Sequence, residues 1–208
     1  MPATGNTFVF LSDIASVTDA RLERYASWLG DSELARYRRF TRRERRRQFI
    51  AGRVLLRLGI ERLLGVGPVA VVLQERPGQA PELLSPPSSS ACFSISHSAS
   101  WIGCAVSAAG PIGFDIERTD PTRDVLALAQ QAFSSAAVAE LSSCAGEARI
   151  AAFYRMWCEH EARIKLGRED GVVHRYALPG LAGALACAYD VVAPPAVQFV
   201  DLGNPGSA

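Results

Sequence analysis

Lysine is almost missing from this chain: Lys165 is the one lysine among 22 basic residues, and every other cation is an arginine. Against that background the lone Lys165 suggests a position where a compact ammonium matters, with chance retention the plainer alternative. Cysteine is scarce and scattered. Cys92, Cys104, Cys144, Cys158 and Cys187 are odd in number and contain no C-x-x-C, which excludes a disulfide framework and a structural zinc site and leaves reduced, mostly buried thiols. No long uncharged apolar run is present, so no membrane-spanning helix and no membrane partner are expected. The first residues lack a basic region followed by an apolar stretch, so no secretion signal is expected and the cytoplasm is the expected compartment. Acids are nearly missing from one stretch. Between Arg36 and Arg57 ten arginines meet a single acid, Glu44, and outside it 12 basic residues face 20 acidic ones. An anionic partner for the arginine segment follows.

What is present is a 208-residue chain, 49% apolar and 21% charged, long enough for one large domain or two small packed ones. Residues 7–11 read as an opening strand, and Asp19–Gly30 as a short helix with Leu22, Tyr25, Ala26 and Leu29 on one stripe. Ser32 to about Leu64 reads as one long helical stretch ended by Gly65–Pro68. Val69–Gln74 is a strand candidate, and Pro77–Ser90 a loop rich in proline, glycine and serine. Cys92–Ile95 and Trp101–Ser107 read as strands around a polar turn, Ser96–Ser100, with a further strand over Ile112–Ile116. Short helices over Val125–Ala129 and Ala136–Leu141 precede a long one over Ile150–Leu166, stopped by Gly167. Strands over Leu181–Val192 and Ala196–Val200 come before a frayed tail, Gly203–Ala208. The order of strand, helices and strands, repeated, predicts an α+β fold of two halves meeting near Ala108–Pro111: residues 1–108 with the arginine helix and the Ser-His turn, and residues 109–208 with the carboxylates and the last long helix.

Three clusters carry chemistry. In Gly113-Phe114-Asp115-Ile116-Glu117, strand alternation sends Asp115 and Glu117 to one face and Phe114 and Ile116 into the core. Two adjacent carboxylates repel unless a proton or cation lies between them, and such oxygen donors suit Mg²⁺; a strand end with solvated acids is the plainer alternative. In the helix Trp157–Lys165, Glu161 and Lys165 are four residues apart on one face. Such a pair is ordinarily a solvated ion pair, but the apolar flank (Ala151, Ala152, Phe153, Met156, Trp157) makes this helix half-buried. In Ser94-Ile95-Ser96-His97-Ser98, His97 is placed in an exposed polar turn, where loop residues are available to a ligand.

Together these motifs resemble the Sfp-type 4′-phosphopantetheinyl transferases, which carry a Ser-His turn, a G-[IVF]-D-x-E strand and, about 40 residues on, a W-[CST]-x-K-E-[AS]-x-x-K helix. Arg45-Arg46-Arg47-Gln48-Phe49-Ile50-Ala51-Gly52-Arg53 is similar to the family's coenzyme A-binding helix, and Pro77–Pro81 falls where the family often has G-K-P. The resemblance spans roughly residues 36 to 166. It implies two similar α+β halves packed with pseudo-two-fold symmetry, the active site between them; a length of 208 residues in two halves suits a monomer without fixing the oligomeric state. It implies a Mg²⁺-dependent (or Mn²⁺-dependent) transfer of the phosphopantetheine arm of coenzyme A to a serine of an acyl or peptidyl carrier protein, releasing 3′,5′-ADP. By resemblance, Asp115, Glu117 and Glu161 hold the metal. Arg45, Arg46, Arg53, Gln79, Ser96, His97, His160 and Lys165 contact coenzyme A, and Glu161, Lys165 and Asp115 are catalytic. Two residues depart from the pattern: His160 stands where the family has a lysine beside the glutamate, and Gln79 stands for the loop lysine. The carrier's docking surface is expected to be locally basic or apolar; the sequence does not locate it, and Phe133–Cys144, between the two metal motifs, is a candidate only.

Two other readings compete. An arginine-rich nucleic-acid binder would account for Arg36–Arg57 but leaves the D-x-E strand and the Glu161/Lys165 helix unexplained, and few aromatics interleave with the arginines. A relative that binds coenzyme A or carrier protein with little or no turnover would account for His160 and Gln79.

Overall fold

The computed structural model of the protein describes residues 7–87, 91–191 and 193–204. Its elements are β1 (Thr7–Asp13), α1 (Asp19–Arg24), α2 (Asp31–Arg39), α3 (Arg43–Leu64), β2 (Val72–Gln74), β3 (Glu82–Ser85), β4 (Cys92–Ser98), β5 (Trp101–Ser107), β6 (Ile112–Arg118), α4 (Val125–Ala132), α5 (Ser135–Ser143), α6 (Gly146–Leu166), β7 (Val172–Leu178), β8 (Leu181–Cys187) and β9 (Val197–Phe199), with single 3₁₀ turns at Tyr25–Trp28 and Pro68–Ala70. The architecture is mixed α+β, with a four-stranded sheet in the order β4-β5-β1-β9, a three-stranded sheet β6-β8-β7 and a small β2-β3 ribbon.

Strand alternation explains the layering. On β1, Phe10 joins the core under α3, together with Ile102, Cys104 and Val106 of β5 and Val54, Leu55 and Ile60 of α3. Val9, Leu11 and Ala105 face the other way and pack against Ile112, Phe114 and Ile116 of β6 and Leu185 of β8. The far side of the second sheet is covered by α6, through Cys158, Ala162 and Leu166 against Ala184 and Ala186. Gly113 permits that contact: a Cβ there would lie 1.9 Å from the Ala162 carbonyl oxygen and 2.5 Å from the Leu166 nitrogen. Gly167, with φ of 74°, ends α6 in a left-handed turn whose amide donates to the carbonyls of Arg163 and Ile164.

Several expected boundaries change. The long helical stretch from Ser32 is two helices, broken at Phe40–Arg42. The helix over Asp19–Gly30 ends at Arg24 in a 3₁₀ turn, and only Val72–Gln74 of the strand expected over Val69–Gln74 is extended. The loop expected over Pro77–Ser90 contains β3, and β7 joins the second sheet without having been expected. Residues 88–90 of that loop, residue 192 of the expected last-but-one strand and residues 205–208 of the tail lie outside the described residues. Ser96 and His97 are not in a turn. They belong to β4, which continues through Ser98 because its ladder to β5 holds to the Ser98–Trp101 pair. The chain's last strand returns to the first sheet, where Val197–Phe199 pairs parallel with Val9–Leu11. The first sheet therefore draws on both ends of the chain, not on residues 1–108 alone. Among the described residues no helix is long and apolar enough to cross a membrane, and all five cysteines are free thiols.

Candidate active site

Much of the arginine segment is neutralised from within. Arg57 and Glu33, both fully buried, pair at 2.5 Å. Arg53 pairs with Glu75 at 2.5 Å and with Glu33 at 3.2 Å, and Arg36 pairs with Glu75 at 2.5 Å. Arg43 and Arg47 both engage Asp19. The anionic partner that the segment calls for is thus partly the protein's own carboxylates, which the sequence places far away along the chain.

A cleft of about 610 Å³ is bordered by Arg45, Gln79, His97 and Lys165 together with Arg36 and Arg53, whose guanidinium groups are already paired with Glu75. Phe49 forms part of its wall, with the Arg53 guanidinium 4.7 Å from the ring centre. Arg45 donates to His97 Nε2 at 3.0 Å, so in this arrangement the His97 ring accepts there and is neutral. Burial first, and then the Arg45 charge, lowers the His97 pKa below the ordinary histidine value. Of the residues expected to contact coenzyme A, Arg45, Arg53, Gln79, His97 and Lys165 come together here. Ser96, Arg46 and His160 do not. Ser96 neighbours His97 on a strand, so it points to the opposite face. Its hydroxyl donates to Asp115 Oδ1 at 2.7 Å. Arg46 lies 4.9 Å over the Tyr37 ring, on a different face of α3. His160 is exposed and meets the Phe133 ring edge-on at 5.8 Å. Arg36, Phe40 and Phe49 complete the cleft without having been named as site residues; all three lie in the arginine segment that was marked, but which face they present depends on how α2 turns into α3.

Lys165 links the cleft to the carboxylates. Its side chain is 29% exposed, and Nζ donates to Asp115 Oδ1 at 2.7 Å and to the Phe114 carbonyl at 3.0 Å. Asp115 is buried, and its Oδ2 has no hydrogen-bond partner. Glu117 Oε2 accepts from Ser98 Oγ at 2.5 Å; burial, with Asp115 adding to it, raises the Glu117 pKa above the usual carboxylate range. The Cys158 thiol, buried beneath this pair, is pushed well up by burial and then by the charges of Asp115 and Glu117. Glu161 is half-buried on α6, one turn before Lys165, and no hydrogen bond or ion pair among the described residues engages its carboxylate. Among the described residues, no three His, Cys, Asp or Glu side chains gather closely enough to hold a metal ion by themselves. The donor chemistry nevertheless fits a hard cation. Two carboxylates share one strand face, one buried oxygen lacks a partner, and Mg²⁺ ordinarily takes one or two carboxylates and completes its shell with phosphate oxygens and water.

A second cavity of about 640 Å³ opens between Thr119–Leu126 and the first turns of α6, and none of the predicted site residues lines it.

The cleft is lined by arginines and by Lys165, which joins it to Asp115 of the carboxylate strand. The 4′-phosphopantetheinyl transferase superfamily model matches residues 111–172, the stretch holding β6 and α6. The chain is 35% identical over 155 residues to the 4′-phosphopantetheinyl transferase HetI of Nostoc, covering 74% of this chain and 65% of HetI. It is 30% identical over 143 residues to the 4′-phosphopantetheinyl transferase Sfp of Bacillus subtilis, covering 69% of this chain and 62% of Sfp. It is 31% identical over 121 residues to the 4′-phosphopantetheinyl transferase AcpT of Salmonella typhimurium, covering 58% of each. The chain belongs to the 4′-phosphopantetheinyl transferase superfamily. Its matches span less than two thirds of these relatives' length.

Proposed function

We propose that this chain transfers the 4′-phosphopantetheine arm of coenzyme A to a serine of an acyl or peptidyl carrier protein, with Mg²⁺, releasing 3′,5′-ADP. The observation that carries the reading is Lys165: one side chain lines the cationic cleft and also grips Asp115 of the carboxylate pair. A ligand with phosphates at both ends of such a path satisfies both. Coenzyme A has that form, with a 3′-phosphate and a pyrophosphate. Arg45 and His97 would hold the 3′-phosphate, Arg45 through the paired N–H donors that suit phosphate oxygens. Arg53 and Arg36 add field from behind Glu75. Gln79 would give a hydrogen bond without charge.

Asp115, Glu117 and Glu161 would hold Mg²⁺ together with pyrophosphate oxygens. When bound, the ion supplies charge neutralisation to the pyrophosphate. Glu161 would accept the proton of the incoming serine hydroxyl, directly or through water, as its oxygen bonds to the pantetheine-side phosphorus and the bond from that phosphorus to the ADP-side oxygen breaks. Lys165 stabilises the negative charge that leaves with 3′,5′-ADP. Phosphoryl transfer of this kind draws on positioning and electrostatics, which is what these residues offer. Segment 133–144, mostly exposed around buried Leu141, is the proposed docking surface for the carrier.

The test is the intact mass of an acyl or peptidyl carrier protein after incubation with this protein, coenzyme A and Mg²⁺. A metal-dependent gain equal to the phosphopantetheine arm is expected. No gain across several carriers, with coenzyme A binding intact, would leave a binding protein; no binding either would sink the reading.

A further inference from the structure

β4 and β6 run side by side without a ladder between them. β4 pairs with β5, β6 pairs with β8, and among the described residues no main-chain hydrogen bond joins β4 to β6. Serine side chains bridge the gap. Ser94, Ser96 and Ser98 alternate on one face of β4, and their hydroxyl oxygens accept the amides of Phe114 at 2.9 Å, Ile116 at 3.3 Å and Arg118 at 3.0 Å. A hydroxyl has one proton. With the oxygen's lone pairs engaged by the amide, that proton is directed away from it. Ser94 turns it to the Phe114 carbonyl at 3.4 Å, Ser96 to Asp115 Oδ1 at 2.7 Å and Ser98 to Glu117 Oε2 at 2.5 Å.

The two carboxylates are therefore each held by one oxygen from the β4 side. Asp115 Oδ1 is held twice, by Ser96 and by Lys165, while Asp115 Oδ2 is buried without a partner. We propose that Ser96 and Ser98 are positioning residues for the carboxylate pair, fixing one oxygen of Asp115 and one of Glu117 so that the remaining oxygens are presented to a divalent cation. The same hydroxyls tie this presentation to the junction between the two sheets. The proposal rests on the metal-binding part of the function proposed above. It departs from the expectation that Ser96 contacts coenzyme A directly.

Partners that orient metal ligands typically contribute 10- to 100-fold to metal affinity when removed singly. The experiment uses the full chain with coenzyme A bound and Mn²⁺ as the probe, its affinity read from the loss of the free-ion electron paramagnetic resonance signal. Coenzyme A affinity is measured separately in chelator. Ser96→Ala and Ser98→Ala are expected to weaken Mn²⁺ binding about tenfold or more, with metal-free coenzyme A affinity within about twofold of wild type. Ser98→Thr, which keeps the hydroxyl, restores Mn²⁺ binding. Ser94→Ala, which loses the same kind of sheet-joining bond but touches no carboxylate, lowers the melting temperature and leaves Mn²⁺ affinity unchanged. Equal Mn²⁺ affinity in wild type and both alanine variants overturns the proposal. So does a fall in metal-free coenzyme A affinity for Ser96→Ala with Mn²⁺ binding retained, which returns Ser96 to a direct cofactor contact. Failure of the wild type itself to bind Mn²⁺ beside coenzyme A would instead remove the metal reading, and this proposal with it.

Discussion

Gly113→Ala is the sharpest single perturbation the structure offers. A Cβ at Gly113 would lie 1.9 Å from the Ala162 carbonyl oxygen and 2.5 Å from the Leu166 nitrogen, both of them main-chain atoms of α6 that no rotamer change can move. The helix must retreat by roughly 1 Å, in an interior packed too densely to absorb it. Two consequences differ in size. The overpacking costs about 2–3 kcal/mol, which in a chain of this length lowers the melting temperature by roughly 5–10 °C and leaves the protein folded near room temperature. The same retreat carries Lys165 away from Asp115, now at 2.7 Å, and from the Phe114 carbonyl, now at 3.0 Å. A displacement of about 1 Å at reacting groups lowers rate on the order of 100-fold. Phosphopantetheine transfer to a carrier, followed by mass spectrometry, and a thermal melt of the same sample read the two effects together. A Gly113→Ala protein with a wild-type melting temperature and wild-type rate would refute both the close packing of α6 on β6 and its role in aligning Lys165.

Other predictions test separate parts. Arg45→Ala is expected to weaken coenzyme A binding by about tenfold or more, the scale of a lost charge-assisted hydrogen bond, while Arg46→Ala, which stacks on Tyr37 outside the cleft, changes it less than about twofold; equal effects in calorimetry would contradict the division of α3 into two faces. His97 has a pKa held below the ordinary value by burial and by Arg45, and a phosphate placed beside it would favour the imidazolium and raise that pKa. Binding then takes up a proton at pH values between the free and bound pKa, so affinity rises as pH falls through that window and levels off below it. Titrations in two buffers of different ionisation enthalpy should detect the uptake in wild type and miss it in His97→Gln; pH-independent affinity in wild type would count against phosphate at His97. Glu33→Ala leaves fully buried Arg57 without its carboxylate and is expected to cost about 3–5 kcal/mol in denaturant unfolding, with a loss below about 1 kcal/mol refuting the buried pair.

Local pattern carried much of this protein's reading. Strand alternation around Gly113–Glu117 settles that Asp115 and Glu117 share a face while Phe114 and Ile116 enter the core, because the period of two is a property of the extended backbone alone. The spacing of Glu161 and Lys165 places them a turn apart on α6 for the equivalent reason in a helix. The short order of motifs marked the family, and the lone lysine marked the residue that joins cleft and carboxylates. Other features depended on long-range packing. Which arginines face a ligand and which face Asp19, Glu33 or Glu75 is set by partners that are distant in sequence, and the charge of the segment does not reveal the pairing. Ser96 and His97 looked like one turn; only the ladder to β5 extends β4 through Ser98 and so sends the two side chains to opposite faces. The return of β9 to β1 closes the first sheet with residues from the far end of the chain. Each of these outcomes is a contact between segments that carry no local signal of one another, so composition and periodicity define the candidates while the tertiary fold decides which of them meet.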